Sequence, residues 1–131
     1  MAEASTTTPA IGPSMVYIDT VNGFSLANTY MASMIGYPTM PVNNLTDALI
    51  IAAQRLTNNF HIKNYLTLDR DLAPSVYNFF GDGDLGASGI YLNNYDVTYS
   101  TFNGLAVLGS SPGYMYAVNC FISGAYSPTT T

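Results

Sequence analysis

The chain has 131 residues, 8% of them charged and 48% hydrophobic, with a formal net charge of −5 at pH 7. That length suits one domain with a core of its own, and its 11 Tyr and 6 Phe argue against intrinsic disorder, which goes with high charge and few aromatics. Arg55, Lys63 and Arg70 are the only Lys or Arg residues, too few and too scattered to neutralise a run of phosphates or an anionic lipid surface, and the single Cys120 excludes an intrachain disulfide and cysteine-rich zinc frameworks.

Residues 1–14, "MAEASTTTPAIGPS", are small, polar and marked by Pro9 and Pro13, and read as an extended arm ahead of one α+β domain over 15–131. With Glu3, no basic start and no apolar run, no signal peptide is visible. "SMVYIDTV" has the β-branched and aromatic content of a short strand, closed by a turn at Asn22-Gly23. A first amphipathic helix is expected over about 25–35. Leu26, Ala27, Tyr30, Met31, Met34 and Ile35 recur at helical spacing there, Ser25 suits the N-cap, and Gly36 and Pro38 stop it. A second is expected over about 44–59, with Asn44 as N-cap, Asp47 at the positive helix end, and Leu45, Ala48, Leu49, Ala52 and Leu56 on one face. Asn44-Leu45-Thr46 also fits a glycosylation sequon, but a helix cap explains the same residues.

Beyond the second helix, Ile62, Leu66 and Leu68 suggest a strand or a loosely packed extension, Asp69-Arg70-Asp71 gathers charge, and "GDGDLGASG" is a glycine-rich loop. From Ile90 onward the pattern predicts an antiparallel β-meander of about four strands, 89–92, 95–102, 105–109 and 114–122. Asn93-Asn94 and Asn103-Gly104 serve as hairpin turns in this reading. No internal repeat stands out. The longest apolar stretch, Leu105 to Ile122, is interrupted by "GSSPG" and Asn119, so no membrane span is expected.

No catalytic signature emerges. His61 is the only histidine and reads as a cation complementing a helix end. Cys120 reads as a small buried hydrophobe in a strand. Asp82 and Asp84 form a weak calcium candidate that lacks the further oxygen ligands of a calcium loop, and no cofactor or other metal is indicated. From Thr98 to Thr131 there is no Lys, Arg, Asp, Glu or His, and Tyr91, Tyr95, Tyr99, Phe102, Tyr114, Tyr116 and Phe121 share the predicted strands with Ser, Thr and Asn. Sheet edges are ordinarily guarded by charge, and interface cores are depleted of it. The expectation is a non-enzymatic structural subunit whose partners are copies of itself in a large homo-oligomer. A virion coat or an extracellular filament fits it, with those seven aromatics as interface candidates and no direct nucleic-acid contact. The alternative is a small binding module presenting Tyr and Asn to a glycan or peptide.

Overall fold

The structure, a computed structural model, describes residues 15–26, 34–83, 86–112 and 115–123. Within these, the helix α1 spans Leu45–Arg55 and eight strands follow in chain order: β1 Val16–Asp19 ahead of the helix, then β2 Asn59–Thr67, β3 Asn78–Phe80, β4 Ser88–Tyr91, β5 Thr101–Asn103, β6 Ala106–Leu108, β7 Tyr116–Val118 and β8 Phe121–Ser123. Asn44 caps α1 from an extended backbone, its side chain accepting the Asp47 N–H at 2.8 Å. The helix stops at Leu56, which turns left-handed at φ 56°. Leu45, Ala48, Ile51 and Ala52 form its buried face, and the helix packs on β1.

All strand pairs are parallel, and the path through the curled sheet is β7-β5-β3-β2-β4-β6-β8, with β1 added on β2. On a flat sheet β5 and β6 would lie ~19 Å apart, four strand spacings. Yet only Gly104 and Leu105 link them, a reach of about 10 Å. The same holds for β7 and β8, joined by Asn119 and Cys120. The curled sheet is therefore wound as a stack of rungs. The long bent β2 is the first, β3–β4 the second, β5–β6 the third and β7–β8 the fourth, so the architecture is a short parallel β-solenoid.

Register sets what each rung contributes. Phe60, Phe79 and Phe102 are register partners pointing inward, with ring centroids 5.3 and 5.5 Å apart and planes within 21° and 11° of parallel. Leu66, Ile90 and Val107 form the matching inward row of the other sheet limb. One residue before the phenylalanines, Asn78 Nδ2 donates to Asn59 Oδ1 at 2.9 Å and Thr101 Oγ1 donates to Asn78 Oδ1 at 2.8 Å. This ladder locks the register from the polar side. The stack is covered at its start by α1 and by the segment around Val42, which bridges to Ile18 and Phe24.

Two expectations fail here. The predicted antiparallel meander is absent, because Asn93, Asn94 and Gly104 do adopt positive φ (55°, 66° and 74°) but use it to turn corners, Gly104 between the two strands of one rung and Asn93 and Asn94 in the connection from β4 to the next rung. The sequence signal for φ > 0 was sound, but a corner and a hairpin demand the same residues. The expected strand at 95–102 is mostly connection, and the expected strand at 114–122 is two strands around a corner. The two-helix expectation fails as well, since α1 is the one α-helix among the described residues. Much of the proposed 25–35 helix, 27–33, lies outside them, and Ser25 turns its hydroxyl to Asp47 Oδ2 at 3.4 Å. The expected 44–59 helix ends early because Asn59 and Phe60 belong to β2. The arm at 1–14 lies outside the described residues.

Candidate functional site

The last rung differs from every other. In the inward row Leu66–Ile90–Val107–Ile122 the exposures run 3%, 0%, 0% and 45%. Ile122 holds a core position over which no strand lies among the described residues. Ala117 continues the phenylalanine row in the same way. Around them Tyr116, Val118 and Phe121 are exposed.

The backbone of this rung is open too. Phe121 N–H donates to Leu105 O at 3.2 Å and Val118 O accepts from Gly104 N–H at 3.1 Å, so these residues face the preceding rung. N–H and C=O directions alternate along a strand. Ala117 and Ile122 therefore direct theirs out of the stack, and among the described residues no strand lies beyond them. The rung is uncharged, as is the whole sequence after Asp96. At its corner Cys120 is half-buried, its thiol donating to Val118 O at 3.3 Å.

A second locality gathers titratable groups. His61 lies inside β2 rather than at a helix end. Its Nε2 is 2.6 Å from Asp82 Oδ1, and its ring lies 5.1 Å from that of Tyr17. The pair ties the glycine-rich loop to the outer sheet face, beside a shallow pocket of about 250 Å³ that Lys63, Asp19 and Pro41 also line. Asp19 is occupied structurally. Its Oδ1 accepts from the amides of Val21 (3.0 Å) and Asn22 (2.9 Å) and from Asn64 Nδ2 (2.7 Å). Burial pushes its carboxyl up, but these donors outweigh burial and hold it below the ordinary Asp value. Asp82 is thus committed to His61, Asp84 lies outside the described residues, and among the described residues no group of three His, Cys, Asp or Glu could hold a metal ion.

A third locality is a groove of about 480 Å³ on the flank of the solenoid, lined by Thr67, Tyr91, Asn93, Asn94, Gly109 and Ser110. The Tyr91 ring stands 5.6 Å from Tyr65. Asn93 Nδ2 holds the Leu68 carbonyl at 3.1 Å, and Asn94 accepts a hydrogen bond from Ser110. No charged side chain lines this groove.

The seven aromatic candidates scatter over this frame. Tyr116 and Phe121 are exposed on the last rung and Tyr91 on the flank, and Tyr99 is exposed at a positive-φ corner. Tyr95 is half-buried against the core, Phe102 is fully buried in the ring stack, and Tyr114 lies outside the described residues. Ala117 and Ile122, which carry the open end, were not singled out. A signal for them exists: residues 104–109, "GLAVLG", and 119–124, "NCFISG", are related by an offset of 15 that keeps Gly104 and Asn119 at the corner. No protein-family profile, no characterised protein and no solved structure matches this chain. No helix among the described residues is long and apolar enough to cross a membrane.

Proposed function

We propose that the chain is a non-enzymatic structural subunit that assembles with copies of itself into a large homo-oligomer, as in a virion coat or an extracellular filament. The observation that supports this reading is the uncovered end rung, where core side chains and backbone groups stand open inside the charge-free part of the sequence. Apolar burial returns about 25 cal/mol per Å², and open strand edges add hydrogen bonds on top of that. Contact with another copy repeated by symmetry turns this into a stable assembly. Negative-stain microscopy and light scattering of the purified chain are expected to show large regular particles. A monodisperse monomer at high protein concentration would sink the reading.

The flank groove favours a second reading, a module that binds neutral glycans. An exposed tyrosine ring offers a stacking face to a sugar, and the amides and hydroxyls around it offer donors and acceptors without charge. A glycan array separates the two. Binding by wild type that is lost in Tyr91→Ala supports this second reading, and an empty array eliminates it.

A further inference from the structure

We propose that the building unit of the assembly is a two-fold pair of chains joined tail to tail through the last rung, with β7 of each copy pairing antiparallel with β8 of the other. The inference rests on the self-assembly reading and specifies its contact.

Four features of the chain lead to it. The start of the stack is covered by α1 and the Val42 segment, so the open rung of one copy finds no matching open rung there in a second copy. It finds one at the other copy's tail. A two-fold axis across the stack reverses the direction of the rung. If it passes through the Asn119–Cys120 corner, β7 overlies β8 of the second copy, and β8 overlies its β7.

The spacing then fits. Ala117 and Ile122 stand at equal distances in sequence on either side of that corner, and they are the two residues whose N–H and C=O groups point out of the stack. Ala117 of one copy and Ile122 of the other thereby become a hydrogen-bonded antiparallel pair that exchanges both bonds. Each small inward side chain meets a large one, closing the two core rows together. Finally, a self-to-self contact brings side chains near their own twins, where any charge repels itself. The rung carries none.

Size-exclusion chromatography with light scattering gives the first test, run with Ile122→Glu and with Ile50→Glu. Ile50 is the exposed large apolar residue of α1 at the opposite end. Wild type at low concentration is expected at twice the 14.0 kDa chain mass, Ile50→Glu likewise, and Ile122→Glu at one chain mass with an unchanged far-ultraviolet spectrum. A mass unaffected by Ile122→Glu overturns the proposal. So does dissociation of Ile50→Glu, which would mean head-to-tail stacking.

Two measurements on the wild-type sequence stand apart from any folding defect. The amides of Ala117 and Ile122 are expected to exchange slowly at high concentration and to lose that protection on dilution. Concentration-independent protection would mean that the chain's own residues cover the rung, and it overturns the pairing. A short bis-maleimide is expected to trap a covalent dimer through Cys120 at the dyad corner, and failure to do so at concentrations where the dimer exists also counts against it. The two levels of the reading fail separately. Large particles that persist in Ile122→Glu leave self-assembly standing and remove this contact. A wild type that stops at the dimer keeps this contact and removes the large assembly.

Discussion

Asp19 shows how this sparsely charged chain spends a carboxylate. It is buried in the sheet edge, and three N–H donors meet its Oδ1. Its folded pKa lies below that of the unfolded chain, so its contribution is fully present above the ordinary Asp range, about 3.9, and is lost as pH falls through the lower folded value. Asp96, held down by the hydroxyl and amide of Thr98, works in the same direction. Asp19→Asn keeps an acceptor oxygen but loses the charge. It is expected to cost about 1–3 kcal/mol at pH 7, with the gap to wild type narrowing below pH ~4 in urea titrations at a series of pH values. A constant gap would show that the loss is one of packing. Phe79 carries the apolar counterpart, sandwiched between Phe60 and Phe102. Phe79→Ala is expected to cost about 3–5 kcal/mol, read as a lower denaturation midpoint.

At the level of elements, local signals were legible and long-range ones were not. The Asn44 cap, the Asp47 charge and the burial of Leu45, Ala48 and Ala52 are properties of adjacent residues and sit where spacing put them, whereas Leu56, expected on the same face, is the exposed left-handed cap and Ile51 is buried in addition. The strand identity of "MVYID" was equally local, and the segment through Ile62 and Leu66, read as a strand or a loose extension, is a strand. What failed was the sense of the turns. Asn and Gly announce positive φ, and whether the chain then reverses or bends depends on which rung lies alongside, a contact 15 or more residues away. Asn64, Gly83, Gly104 and Asn119 mark the same corner in successive rungs, all at positive φ. Of the site, the charge-free region could be read from composition, but its open rung depends on register, which composition does not carry. The corner assignment makes a paired prediction. Gly104→Ala has only ordinary contacts to make at Cβ, so its cost is the backbone alone, about 1–2 kcal/mol. Asn119→Gly relieves the same strain and is expected to be neutral or slightly stabilising. Equal losses in both, measured by thermal denaturation, would contradict a shared corner.

Taken whole, the molecule is a one-dimensional stack with unequal ends. Each rung touches only its neighbours, so stability adds rung by rung, and the first rungs have α1 and β1 over them while the last has no further strand or helix over it among the described residues. The interior rungs satisfy their backbone on both sides and bury their inward rows completely, as Ile90 and Val107 show. Opening is therefore expected to run from the tail inward. In the Ile122→Glu chain, amide exchange should be slowest in β2 and β4, faster in β5 and β6, and fastest in β7 and β8, tracking distance from α1. If the proposed pairing holds, wild type under conditions of association differs from this gradient mainly at the tail, where the second copy would take the place of a further rung. The comparison isolates the end from the rest of the fold, because both measurements share every other rung. If the gradient ran the other way, with β1 and β2 opening first, the helix would be the weak end. The exposed Ile122 would then be an ordinary surface residue, and the asymmetry on which the proposed assembly rests would be gone.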